Sequence, residues 1–381
     1  MAEIEYRMFF NDEPATQEQL DRVEDITVEQ EADMAWEARV EIPVRLDEQG
    51  NWQGEDEDFT RPFARVRVEI RTGDGDFVPL IDGPIAGSDT DRNSAPGQST
   101  LRLIVRDDSA YLNRQETVSR FEGMSDSEIA EQIYGDFDCI ASTEVESTPA
   151  SGSSLQAEVV QRGTAIAILR ALARRNGMHA YVLPGDSPGQ SVGCFKPFPT
   201  DAAGDGGASP LPPLLLLGAD RNIDTFNMTD NAEGPSTVVT YSLRITDKST
   251  ISSRVTYRDL ELLGDQPASE STQTEPAERI LPPRQGESID LDQAATAEAS
   301  SAGYEFEATG TACGGRYPGI LQPYRIVSVR AGGTSASGDY LITKVTHRLT
   351  RSTYSQEFTL RRNARSSTSG SALGSLAGGI L

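Results

Sequence analysis

Along most of the first hundred residues, apolar and polar positions alternate. "EYRMFF" near the N-terminus and "EARVEIPV" (Glu37 to Val44) put every second side chain on one face, with Ala38, Val40 and Ile42 together. "ARVRVEIR" (Ala64 to Arg71) alternates in the same way, "TGDGD" turns it into "FVPLIDGPIAG", and "STLRLIVRD" (Ser99 to Asp107) completes the set. A period of two, bounded by Gly, Pro and Asp, marks antiparallel strands. The acidic stretch between the first two strands, Asn11 to Asp33, reads as a loop or an edge and not as a core element.

The period then changes. "MSDSEIAEQIYGDF" places Ser125 at an N-cap with Glu128 three residues on, and stacks Ile129 on Ile133. "GTAIAILRALARRNG" predicts a second helix with Thr164 at its N-cap. Its apolar stripe is Ile166, Leu169, Leu172 and Ala173, and Gly177 stops it. "MHAYVLP" follows as a strand, and Pro184 to Pro213, rich in Gly, Pro, Ser and Asp, reads mostly as exposed loop. "STVVTYSLR" (Ser236 to Arg244) restarts the strand pattern, and Gly264 to Ser288 is a polar, proline-rich connection. A short Ala-rich helix then runs into a strand in "LDQAATAEASSAGYEFEATG", and the last β set is "GRYPGILQPYRIVSVRAGG" with the hairpin "SGDYLITKVTHRLTRSTYSQEFTLRRNA".

These elements predict an α+β fold that is mainly antiparallel β, with a β module at each end and a mixed helical and β part between them. The expected divisions are 1–110, 111–235 and 236–364, with residues 365–381, "RSSTSGSALGSLAGGIL", a tail that is flexible by composition. A chain of 381 residues holds two or three such units.

Composition changes this picture in three ways. No run approaches the length of a membrane-spanning helix, and "MAEIEYRMFF" has acids where a signal peptide needs bases, so the expectation is a product made in the cytosol. Cys139, Cys194 and Cys313 are odd in number and far apart, matching neither a disulfide framework nor a zinc site. The net charge of −25, with lysine only at 196, 248 and 344, argues against stable nucleic-acid binding. Such acidity suits a saline habitat or the wall of a conduit that must not retain polyanions.

Candidate chemistry is thin. Only His179 and His347 offer an imidazole base, and both fall in strand patterns outside any nucleophile-elbow or zincin motif. The pair Asp107–Asp108 at a strand end reads as a turn or helix cap. "RTGDGDF" lacks the acid spacing of a calcium loop. No phosphate-cradling glycine loop occurs, so no catalytic, cofactor-binding or metal-ligating residue is assigned.

The order of the pieces carries more. "FVPLIDGPIAG" (with Gly83 and Gly87), "LRLIVRDDSAYLNR" (with Asp107), "FEGMSDSEIAEQIYGDF" (with Ser125) and "VVQRGTAIAILRALARRNGMHAYV" come in succession. Near the C-terminus, "GILQPYRIVSVRAGGTSASGDYLITKVTHRL" sets Gly338, Tyr340, Ile342, Val345 and His347 in a hairpin. Together these resemble the tail hub family of phages and contractile injection systems, the late control gene D family, related to the N-terminal region of type VI secretion spikes. The resemblance runs from about Tyr6 to Asn363 and is weakest at Asn11 to Asp33, Pro184 to Pro213 and Gly264 to Ser288.

The resemblance implies two tube-like β-barrel modules flanking a mixed α/β middle domain, and no enzymatic activity. It implies a homotrimeric symmetry adapter that joins a sixfold tail tube to a threefold spike, with baseplate wedge proteins as further partners. DNA or cargo would touch the protein only in transit, in a particle assembled in the host cytoplasm. Gly83, Gly87 and Gly338 are expected to allow turns, and Tyr340, Ile342 and Val345 to fix the hairpin register. His347 is expected to make a cross-strand or interface hydrogen bond. Relatives often continue into a spike, so a separate spike chain is expected here. The alternative reading is a tail-associated peptidoglycan hydrolase.

Overall fold

A computed structural model describes residues 3–365 except 48, 51, 55–56, 96, 150–157, 202–208, 232–234, 244–246, 269–276, 282–290, 314 and 333–335. The expectation for 365–381 falls, beyond its first residue, outside the described residues. The fold class is α+β and mainly antiparallel β.

The first module is built from Ile4–Phe10, Asp25–Glu31, Glu37–Pro43, Arg65–Thr72, Val78–Asp91 and Thr100–Arg106. The last is built from Ile223–Asp230, Phe306–Cys313, Ile326–Arg330, Gly338–Thr350 and Tyr354–Arg362. Among the described residues neither module closes on itself. Asp25–Glu31 pairs with Glu37–Pro43 on one side and with Gly338–Thr350 on the other, so both modules belong to one 13-stranded sheet.

Two long strands turn the corners of this sheet. Val78–Asp91 pairs with Arg65–Thr72 up to Pro84, then with Thr100–Arg106 from Ile85 onward. Gly338–Thr350 pairs with Ile326–Arg330 through Leu341, then with Asp25–Glu31 from Lys344. Register shifts at Ile85/Gly87 and Ile342/Lys344 mark the switches, as bulges do where strands change layers.

Three expectations are corrected. Asp25–Glu31 is a central strand with Ile26, Val28 and Gln30 buried, not a loop or edge; its two apolar residues are masked by acids on the outward face. Pro184 to Pro213 contains the strand Ser191–Lys196, whose Gly193, Cys194 and Phe195 are buried. Gly83 and Gly87 lie inside the corner strand and in no turn. A Cβ on Gly83 would lie 2.0 Å from the Arg106 carbonyl oxygen, so the glycine serves close passage of two backbones.

In the middle part, helices Asp126–Gly135 and Ala165–Arg175 pack on the three-stranded sheet Ile140–Val145, Ser191–Lys196 and His179–Pro184. Ser125 forms the capping box with Glu128: its Oγ accepts from Glu128 N at 3.3 Å, and Glu128 Oε2 accepts from Ser125 N at 2.7 Å. Ile129, Ile133, Ile166, Leu169 and Leu172 form one core. Helix Leu291–Ala302 covers a small sheet of Thr237–Leu243, Thr250–Thr256 and Glu278–Leu281, the last of which falls in the expected polar connection.

Candidate functional site

Two buried polar networks hold the parts of the molecule together. The first lies on the seam between the β modules. His347 is fully buried, with Nε2 3.1 Å from Gln30 Oε1 and Nδ1 2.8 Å from Tyr354 Oη. Gln30 Nε2 donates to Leu80 O at 2.7 Å, which turns its Oε1 toward the ring. His347 Nε2–H therefore donates to Gln30, and Nδ1 accepts from the Tyr354 hydroxyl. Burial holds the imidazole down at about 3, so it is neutral in the folded chain over the ordinary pH range. Both nitrogens are engaged and none reaches solvent, so this histidine cannot serve as a base.

The second network joins the first module to the middle part. Arg67 and Glu69 project from the face of Arg65–Thr72 that alternation makes outward, yet both are 1% exposed. Asp82 accepts from Arg65 Nε at 2.7 Å, Arg67 Nη1 at 2.9 Å and Gly189 N at 3.1 Å. Arg67 Nε also donates to Glu69 at 2.6 Å. Asp108 accepts from Arg65 Nη2 at 2.6 Å and from Ser191 Oγ at 2.8 Å. Sequence reasoning missed this cluster, because charge on alternate positions looks like a solvated face until another unit covers it.

Asp107 and Asp108 part company. Asp107 accepts from Trp36 N at 2.5 Å, from Ser109 N at 3.0 Å and from the Ser109 hydroxyl. It is sealed, and burial pushes its carboxyl up to about 6. This is a strand-end role, at the point where Gly83 passes the backbone of Arg106 and Asp107.

Tyr340, Ile342 and Val345 meet in the core of the last module, with Phe358 and Leu360 across the hairpin. Gly338 opens their strand at φ +144°, where a Cβ would lie 2.5 Å from the Arg362 guanidinium. Among the described residues Gly87 has no atom within 4 Å of a Cβ position, and Ser125 stands apart at its helix cap. The sequence-selected residues therefore form no single site. Gly83 joins Asp107, the three hairpin side chains share a core, and His347 belongs to the seam.

The strongest chemical arrangement surrounds His179. Its Nδ1 lies 2.8 and 2.9 Å from the two Asp33 oxygens, and its ring stacks on Phe198 at 3.6 Å. An open cleft of about 560 Å³ adjoins it, lined also by Tyr304, Ser300 and Ser301. An Asp–His pair beside hydroxyls is the start of an acyl-transfer triad. Among the described residues, however, neither serine hydroxyl hydrogen-bonds to the ring. No three His, Cys, Asp or Glu side chains converge to hold a metal among those residues either. Cys139 and Cys194 are free thiols, and the Cys313 side chain lies outside the described set.

No family model matches the sequence, and neither does any curated protein. Solved structures do match. A tail protein from Neisseria meningitidis MC58 superposes with a TM-score of 0.60 at 16% identity, over 94% of this chain and 96% of that one. The 43 kDa tail protein of prophage MuSo2 from Shewanella oneidensis gives 0.62 at 13% identity, over 94% and 98%. An E. coli component of the type VI secretion system, described as structurally similar to the T4 bacteriophage tail proteins gp27 and gp5, gives 0.52 at 10% identity, over 95% of this chain and 77% of that one. The chain thus has the fold of phage tail proteins and of gp27/gp5-like type VI secretion proteins.

Proposed function

We propose that this chain is a structural hub of a phage tail or related contractile injection system, and no enzyme. In this reading it is a homotrimer placed between a sixfold tail tube and a threefold spike, with its three parts near 1–110, 111–235 and 236–364. The observation that carries the reading is the match in length. The Neisseria and Shewanella tail proteins and this chain cover one another almost end to end.

The architecture supports it. Two β modules fused edge to edge through Asp25–Glu31 would let three chains present six similar modules to a sixfold tube. Among the described residues, the open sheet ends on Ile223–Asp230 and on Ile4–Phe10, the latter covered only at Phe9 and Phe10 by Glu13–Pro14. Unpaired edges are a liability in a lone chain and a joint in a ring. An acidic inner wall would let DNA or cargo pass without retention.

Light scattering after size exclusion tests the reading: a mass near three times 41.2 kDa is expected, and a stable monomer with and without spike or tube protein would overturn it. The hydrolase reading keeps one foothold, the Asp33–His179 pair in its cleft. It would require clearing on a peptidoglycan zymogram that His179→Ala abolishes; His347, sealed in the seam, offers it nothing.

A further inference from the structure

Strands Ile223–Asp230 and Phe306–Cys313 run antiparallel in the last module, with Asp230 opposite Phe306 in their ladder. Between these two residues the chain makes its excursion through the small sheet and helix Leu291–Ala302, a unit with its own core around Val238, Tyr257, Ala295 and Ala299. The excursion leaves and returns at one place. Asn231 N donates to Glu305 O at 3.3 Å, and Glu305 N to Gly303 O at 3.0 Å. Glu305 therefore stands at the joint between the helical unit and the last module.

Buried joints are normally sealed by apolar groups or by polar groups that satisfy one another. This one holds a carboxyl group on a residue 7% exposed, with neither oxygen hydrogen-bonded among the described residues. The buried Tyr257 hydroxyl, on the unit's side and within reach of the Glu305 charge, has no partner there either. The charged groups that face Glu305 are Asp230 and Arg365, which hold each other at 3.0 Å, so the arginine's charge is already balanced. Behind Tyr257, Arg279 and Glu298 pair at 2.9 Å. Burial first, and Asp230 after it, push the Glu305 carboxyl from 4.5 up to about 7. Uncharged it stays inside; ionised it needs water that the closed joint does not admit.

We propose that Glu305 makes this joint pH-sensitive: ionisation of its side chain draws water in and loosens the base of the helical unit from the last module. The loosening is local. Leu263 N donates to Asn363 Oδ1 at 2.9 Å and Ala268 N to Asn363 O at 3.0 Å, so the unit stays laced to the end of the last module while its base shifts. Helix Leu291–Ala302 also supplies Thr296, Ala297, Ser300 and Ser301 to the wall of the cleft beside His179, and the same shift alters that cleft's width. In the open joint the carboxyl returns to its ordinary range. Opening is therefore favoured progressively as pH rises from 4.5 to about 7, and no further above it.

Hydrogen exchange on the full chain, corrected for its intrinsic pH dependence, tests this. The amides of Asn231, Tyr257, Gly303 and Glu305, each hydrogen-bonded at the joint or beside it, are expected to open about fiftyfold more at pH 8 than at pH 5. Glu305→Gln keeps the shape and cannot ionise, so its protection should stay level between the two values. Asp230→Asn removes the like charge and leaves Arg365 to face the carboxylate, so its rise should be smaller than that of wild type. No rise in wild type, or the full wild-type rise in either variant, would overturn the inference.

Discussion

His347 and Gln30 lie 317 residues apart in sequence and 3.1 Å apart in the fold, and both are wholly buried. Val345 sits opposite Gln30 in the ladder and His347 opposite Val28. A slip of one residue would turn Glu29 and Glu31 inward and leave the imidazole without its amide. The pair thus ties the register of the seam to a hydrogen bond that only the native pairing makes.

The neutral, buried imidazole predicts acid sensitivity. A group near 6.5 in the unfolded chain and about 3 in the folded one takes up its proton on unfolding throughout that window. Its contribution is full above pH 6.5 and is lost as pH falls toward 3. Chemical denaturation of wild type and His347→Gln should show a stability difference that shrinks by about 2–4 kcal/mol between pH 7 and pH 4. A constant difference across that range would place the protonation elsewhere.

Asp82 predicts a different loss. Removing it leaves the Arg65 and Arg67 guanidinium groups short of a partner in a dry site. Breaking one side of such a pair costs about 3–5 kcal/mol. Asp82→Ala should therefore lower the urea midpoint strongly, and added salt should not rescue it. An exposed-pair value below about 1 kcal/mol would show that water reaches the network.

The corner glycines separate two roles. Gly83→Ala drives a methyl into the Arg106 carbonyl and should destabilise by about 1–3 kcal/mol or prevent folding. Gly87→Ala meets no atom within 4 Å and should change stability by less than about 0.5 kcal/mol. Thermal melts of the two variants check both at once; equal effects would contradict the packing seen here.

Glu305 predicts the opposite pH sign to His347. Among the described residues both its oxygens are buried without a hydrogen-bond partner, and burial and Asp230 push its carboxyl up to about 7. The folded chain then holds a proton that the unfolded chain releases near 4.5, so Glu305 costs stability as pH rises through that interval. Glu305→Gln should raise the melting temperature at pH 8 and change it little at pH 4. Equal shifts at both values would mean that the carboxylate finds a partner in solution.

Much of the fold was legible because its signals are local. The Ser125 box, the stripe from Ile166 to Ala173 and the alternation of Glu37–Pro43 each lie within a dozen residues, and the structure keeps them. Asp25–Glu31 escaped notice because two apolar residues among five polar ones make a weak period. The signal that would have found it is the glutamine at the third inward position.

What the sequence by itself determined is most of the elements, their order and most of their inward faces, since hydrophobic period and capping act between near neighbours. Only the tertiary structure decided that Arg67, Glu69 and Asp82 are interior, that Gly83 guards a crossing and not a turn, and that His347 meets Gln30. Those outcomes depend on which distant surface covers a given face. A strand pattern states that it has two faces, but not what will be laid against the second one.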